Sequence, residues 1–127
     1  FVYTNRMSIL SAFNNIIINF LDDCILIFKD DTDFKLYKRG LGVIIKYNPK
    51  KVHTFFKEYL EKYRPYIDTR NDAFFLQNDF DEIKKYNNDE IFTVINKIKT
   101  YWGDLDEHNK KKVWDYFSIL SQLSDKI

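Results

Sequence analysis

Two histidines, His53 and His108, and one cysteine, Cys24, are the side chains best suited to zinc binding or nucleophilic catalysis in this sequence. Neither histidine has a second nitrogen or sulfur ligand one helical turn away, and a single cysteine cannot supply a thiolate zinc site. Cys24 follows the apolar spacing of its segment, so we expect a buried and unreactive thiol, whereas we expect both histidines to be exposed. The sequence therefore predicts no catalytic residue, no metal site and no cofactor. Catalysis by a pair of carboxylates is not excluded, because acidic side chains are numerous, but no spacing singles out a pair.

Two clusters of acidic residues, at positions 30–33 and 78–82, carry the oxygen ligands that calcium prefers. A calcium-binding loop needs a glycine at its sixth position. Loops counted from Asp31 and from Asp79 have Leu36 and Lys84 there. We therefore expect both clusters to be solvated acids that cap helices.

Clusters of lysine are the remaining candidates for a binding site, since contacts with phosphate groups need several basic side chains on one face. Aromatic neighbours such as Tyr47 and Tyr101 could stack on bases. Acidic residues lie close to the clusters, however, and the formal net charge is only +1, so ordinary solvated helix faces are the favoured interpretation. The candidate nucleic-acid contacts are Lys46, Lys50, Lys51, Lys110, Lys111 and Lys112.

The composition predicts that helices position these residues. The chain has 127 residues, of which 45% are hydrophobic, and it contains only three glycines and two prolines. A β-sandwich of this size needs turn residues more often than that, and the length suits one domain. We expect residues 7–127 to form that domain. Residues 1–6 are treated as an N-terminal extension, because Met7 could be the natural start.

Apolar residues recur at steps of three and four in five segments, which is typical of helices with one buried face. Pro65 ends or kinks the third helix, and Gly103 stops the fourth. Gly40 and Gly42 indicate close helix packing, with a hinge or a ligand approach as the alternative. We expect the helices at about residues 9–28, 33–46, 49–64, 89–102 and 107–124, with short helical turns in the connection between residues 66 and 86. Their predicted N-caps are Ser8, Thr32 or Asp33, Asn48, Asn88 or Asp89, and Asp106.

The only tryptophans, Trp102 and Trp114, flank the break at residues 103–106 between the last two helices. Trp102 continues the spacing of Ile95 and Ile98, so we expect the tryptophans to close an aromatic core rather than to form a recognition surface. The sequence thus predicts an all-α fold, a compact bundle of about five helices with a C-terminal helical hairpin.

The first predicted helix, residues 9–28, is the most apolar segment of the chain. Asparagine and aspartate interrupt it, so no run approaches the roughly 18 apolar residues of a membrane span. We expect a core helix and no membrane partner. A single cysteine excludes an internal disulfide and fits a reducing compartment, and no asparagine begins a glycosylation motif.

Three motifs made of packing residues carry a resemblance to a known group of proteins. They are an Asp-x-Phe-Phe-Leu element at residues 72–76, a Lys-x-Tyr-Trp helix end at residues 99–102 and a Val-Trp-x-Tyr-x-x-x-Leu helix at residues 113–120. Together they resemble small uncharacterised helical proteins of giant nucleocytoplasmic large DNA viruses, of the mimivirus-like kind. The likeness covers most of residues 7–127 and brings no known catalytic residues. Frequent Phe, Tyr, Asn, Lys and Ile agree with an A/T-rich genome.

The resemblance implies a viral accessory or virion-associated protein in the host cytoplasm or the virion. We therefore expect a non-enzymatic protein–protein interaction module with a viral or host protein as its partner. A homodimer is compatible with so much aromatic surface. The alternatives are a nucleic-acid-binding helical protein that uses its surface lysines, and an enzyme whose site the sequence does not reveal.

Overall fold

The computed structural model describes the backbone of residues 2–77 and 90–127, and their side chains from Met7 onwards. All regular secondary structure in these ranges is helical, which confirms the predicted all-α bundle. The helices are α1 (Val2–Ile27), α2 (Asp33–Tyr47), α3 (Lys51–Phe55), α4 (Arg64–Asp68), α5 (Ala73–Leu76), α6 (Glu90–Tyr101) and α7 (Glu107–Lys126).

The central helix is α1, which packs along α7 and α2 and also contacts α3. Its buried side chains recur at steps of three and four, as predicted. The prediction of Ser8 as the N-cap is wrong, because the helix already begins at Val2. Residues 2–6 contain neither proline nor glycine, so nothing in them stops the helix. The buried apolar residues of α1 are Phe13, Ile17, Phe20, Leu21 and Cys24.

By length and composition alone, Met7–Ile27 could cross a membrane, with a mean hydropathy of 1.4. The core helix of a soluble protein can be equally long and apolar, so length and composition give only weak evidence for a membrane span. Phe13, Leu21 and Cys24 have no exposure to solvent, because other helices cover them. These three residues of α1 therefore lie in the core of the bundle.

The third predicted helix is present but changes its pitch. From α3 the chain continues through a π-helical turn, Phe56–Leu60, and a 3-10 turn, Glu61–Tyr63. Pro65 lies in the first turn of α4, where its missing N–H costs no hydrogen bond. The prediction that the third helix ends or kinks at Pro65 is therefore confirmed.

Two predicted helix caps have different outcomes. Asn48 is not the N-cap of the third helix, because α3 begins only at Lys51. Asp106 does cap α7, since its carboxylate accepts a hydrogen bond from the N–H of Asn109 at 2.8 Å. The caps predicted for the fourth helix, Asn88 or Asp89, lie outside the described residues.

The glycines are not sites of close helix packing, so that prediction is wrong. Among the described residues, a Cβ atom at Gly42 would meet no atom within 4 Å, and one at Gly40 would meet only Cγ of Glu90, at an ordinary 3.6 Å. Gly103 does not stop α6 in a left-handed conformation either, since no described glycine has a positive φ. Instead, α6 passes into a 3-10 turn, Trp102–Asp104.

The aromatic core lies where α5 meets α6 and α7. The rings of Trp102 and Trp114 meet edge to face, 5.6 Å apart, and both residues are buried, as predicted. Phe75 of α5 contacts both tryptophans. Outside this aromatic cluster, α6 packs mainly on α2, and α7 packs mainly on α1.

Candidate functional site

The cysteine and the histidines do not assemble into a nucleophile and a base. Cys24 is fully buried, and this burial, followed by the negative charge of Asp23, raises the pKa of its thiol. His53 is half-buried, so the prediction of an exposed side chain is wrong; its Nε2 lies 2.9 Å from Oγ of Ser124, and burial lowers its pKa. His108 is exposed, as predicted. Within residues 7–77 and 90–127, no hydrogen bond joins Cys24 to either histidine.

The first acidic cluster fastens the corner between α1 and α2 to α6. The carboxylate of Asp31 accepts hydrogen bonds from the Tyr101 hydroxyl at 2.6 Å and from the Asp33 N–H at 3.0 Å, and Nζ of Lys97 lies 3.0 Å away. The Tyr101 hydrogen bond is the main reason why the pKa of Asp31 is lowered. Tyr101 also stacks on Phe28, with ring centroids 5.1 Å apart, so one face of its ring is occupied within the bundle. The second acidic cluster, residues 78–82, lies outside the described residues.

A cavity of about 40 Å³ lies inside the bundle. Its walls are formed by apolar side chains of α1, α2, α6 and α7 and of the segment from α3 to the following π-helical turn, among them Ile17, Leu41, Val94 and Leu120. A space without polar partners stays dry. It offers no group that could orient or activate a substrate, and we interpret it as a packing defect.

The second lysine cluster, at the start of α7, is largely neutralised. Lys110 pairs with Asp72 at 3.7 Å, and its ammonium group lies 5.7 Å from the centre of the Trp102 ring. Lys111 pairs with Asp115 at 2.9 Å. The third lysine of the cluster is half-buried. These side chains therefore do not form the free basic surface that nucleic acid would need.

The first lysine cluster, in contrast, belongs to a longer basic surface. Lys46, Lys50 and Lys51 are exposed, and the exposed side chains of Lys35 and Arg39 continue the surface along α2. In the part of the chain that the structure describes, none of these five side chains forms an ion pair. The sequence explains why. Residues 34–57 contain no acidic residue, and their basic residues are Lys35, Lys38, Arg39, Lys46, Lys50, Lys51 and Lys57.

A row of exposed apolar side chains runs beside these basic residues. Leu36, Val43 and Tyr47 are 57%, 52% and 78% exposed. Their spacing of seven and four positions places them on one side of α2. A parallel basic row is formed by Lys35, Arg39 and Lys46, which follow one another at spacings of four and seven positions. We call the two rows, together with Lys50 and Lys51 beyond the helix end, the α2 face.

The α2 face points outward because the opposite side of the helix is fixed by the bundle. Phe34 and Leu41 are buried there, and Ile44 is half-buried. Lys38 adds an ion pair with Asp22 of α1 at 2.6 Å. The inner side thus packs α2 onto the bundle, and among the described residues the apolar row has no buried contact of this kind.

Only part of this site was predicted from the sequence. Lys46, Lys50 and Lys51 were expected, with acidic residues close by; the nearest acids in sequence are Asp33 and Glu58, and Glu58 lines a surface pocket together with Lys50 and Lys51. Lys35, Arg39 and the apolar row were not predicted. Two signals could have revealed them: the absence of acidic residues from positions 34 to 57, and apolar residues that do not follow the spacing of the buried side.

Comparison with known proteins assigns no family to this chain: no protein-family model, no curated protein and no solved structure matches it. Its function therefore has to be inferred from its own residues. The α2 face combines exposed apolar groups with basic groups that form no ion pair among the described residues.

Proposed function

We propose that this protein is a non-enzymatic interaction module that binds a protein partner through the α2 face. The observation that carries the proposal is the row of Leu36, Val43 and Tyr47, which is more than half exposed on a helix whose other side is already packed. Apolar rows at helical spacing are used to bind partner helices or grooves. The adjacent unpaired basic row adds charge complementarity and orientation.

The resemblance found in the sequence supports a more specific setting. We propose a viral accessory or virion-associated role, in the host cytoplasm or the virion, with a viral or host protein as the partner. The motifs behind this resemblance include Phe75, Trp102 and Trp114 of the buried core. They support kinship of fold, whereas the α2 face supports the mode of action.

Nucleic-acid binding is the second candidate, and the acid-free stretch from position 34 to 57 favours it. Lys50 and Lys51 could contact phosphates, and the exposed ring of Tyr47 could stack on a base. Two features favour protein instead. Exposed aliphatic groups such as Val43 have no use in phosphate contacts, and the lysine cluster on α7 is largely neutralised.

Affinity capture from native or infected cells, followed by mass spectrometry, tests the choice between these functions. The baits are the wild-type chain, Val43→Glu and Ile119→Glu. Glutamate at position 43 has Arg39 and Lys46 at helical spacing, so the helix should persist while the apolar row is interrupted. Ile119 is a matched control, since it is 40% exposed on α7, away from the α2 face.

We expect protein captured by the wild-type chain to survive nuclease treatment, to be lost with Val43→Glu and to be kept with Ile119→Glu. Recovery of nucleic acid alone, abolished by nuclease, would replace the proposal by the second candidate. Equal capture by all three baits would show that the α2 face is not the contact surface.

A further inference from the structure

We infer that the α2 face binds one amphipathic helix, which lies antiparallel to α2 and has acidic residues in its first turn. The inference rests on the proposed function and names the chemistry of its partner. Three properties of the α2 face support it: the length and spacing of the apolar row, the place of Gly40 in it, and the uneven distribution of charge.

The apolar row has the dimensions of a helix–helix contact. From Leu36 to Tyr47 it extends over about 16 Å, at 1.5 Å per residue, which is three turns. Spacings of seven and four positions produce the seam along which two helices pack at a small crossing angle. A partner helix of three to four turns would cover the whole row.

Gly40 gives the row a depression that suits an inserted side chain. In helix packing, a side chain of one helix enters the space between residues i, i+3, i+4 and i+7 of the other. Two such spaces follow each other on α2, and Gly40 is a member of both. Among the described residues, Cγ of Glu90 is the only atom within 4 Å of a Cβ atom built at Gly40, at 3.6 Å, so packing within the bundle does not require a glycine there. The missing side chain lowers the surface of the row at this position, where an apolar residue of the partner would pack.

The charges determine the direction of the partner. Lys46, Lys50 and Lys51 concentrate positive charge at the C-terminal end of α2. Acidic residues stabilise the first turn of a helix, because they interact with the positive end of its dipole. An antiparallel partner brings this acidic first turn beside the three lysines. A parallel partner would bring its last turn there, where basic residues are favoured.

The same charges argue against a second copy of this chain as the occupant. If two α2 faces packed antiparallel, Lys35 of each copy would lie near Lys46 of the other. Repulsion between these like charges would weaken the binding of one copy to the other. The occupant must instead carry negative charge along one flank of its own apolar row.

Selection from a displayed library of peptides tests the inference. The peptides are roughly 20 residues long, enough to form a helix on binding, with charged and apolar positions randomised. The bait is the full chain. We expect enriched peptides to have apolar residues at steps of three and four and acidic residues in the first turn. Their affinity should fall by about tenfold or more with Lys46→Glu/Lys50→Glu and with Gly40→Leu. Gly42→Leu, which adds the same side chain outside the apolar row, should leave it unchanged.

A spin label on the N-terminus of an enriched peptide then reports its direction. It should broaden the amide signals of Tyr47 and Lys51 and leave those of Lys35 and Leu36 sharp. The inference would be overturned by the reverse pattern of broadening. It would also be overturned if no peptide were enriched, or if the enriched peptides were basic or extended. Basic or extended peptides that still lose affinity with Val43→Glu would leave the interaction module standing. Binding to phosphatidylserine vesicles or duplex DNA in place of peptides would overturn both this inference and the proposed function.

Discussion

The rings of Phe75 and Trp102 lie nearly parallel, with their centroids 4.2 Å apart and their planes inclined by 23°. Phe75 belongs to α5, a helix of four residues, whereas Trp102 follows the end of α6. The ring of Phe75 also lies 5.4 Å from that of Trp114 on α7. A short helix in the least regular part of the sequence therefore completes the contact between the last two helices.

Phe75→Ala should lower the free energy of unfolding by about 3–5 kcal/mol, because the ring is fully buried and its removal leaves a cavity. Leu76→Ala is the matched control. Leu76 lies in the same helix but is 56% exposed, so its truncation should change stability by less than about 0.5 kcal/mol. Urea unfolding followed by tryptophan fluorescence measures both values. Equal effects would contradict the central position of Phe75.

Asp31→Ala should destabilise the protein by about 2–3 kcal/mol, since it removes a nearly buried carboxylate that Tyr101 and Lys97 contact. Asp30→Ala removes the same charge from the neighbouring exposed position and should have little effect. Thermal or urea unfolding of the two variants provides the comparison. A loss of stability in Asp30→Ala as large as that in Asp31→Ala would indicate a general charge effect instead of this network.

The half-buried His53 should make stability depend on pH. Burial lowers the pKa of His53 below its ordinary value, so the unfolded chain binds a proton at pH values where the folded chain does not. The stabilisation is complete above the unfolded-state pKa of about 6.5 and decreases as the pH falls through the lower folded-state pKa. Unfolding free energies should therefore fall less between about pH 7.5 and 5.5 in His53→Gln than in the wild type.

His108→Gln is the control for this titration, because His108 is exposed. The pH dependence should decrease more in His53→Gln than in His108→Gln. If His53→Gln also kept the full dependence, the burial of His53 would not be the cause of this pH dependence.

Helical spacing alone predicted most of the core. Phe13, Phe20 and Phe117 are buried as expected, because in a long helix the buried side repeats every turn. The role of Phe74 and Phe75 could not be predicted in this way. A helix of four residues is too short to show a period, and only the tertiary fold brings it between longer elements.

The candidate site was predictable to a smaller extent. Exposure of Lys46 follows from its position on α2, but neutralisation of Lys110 depends on Asp72, in a separate part of the chain. The burial of His53 likewise depends on Ser124 near the C-terminus. Such pairings arise from tertiary packing, which local spacing does not contain.

Photo-crosslinking from the α2 face measures the contact with a protein partner most directly. A photoreactive amino acid replaces Val43 in one sample and Gln122, which is exposed on α7, in the other. After irradiation in native or infected cells, the chain labelled at position 43 should form a covalent adduct with a specific protein, and the chain labelled at position 122 should not. Adducts with nucleic acid at position 43, or the same protein adducts from both positions, would contradict the assignment of the α2 face as a protein-binding surface.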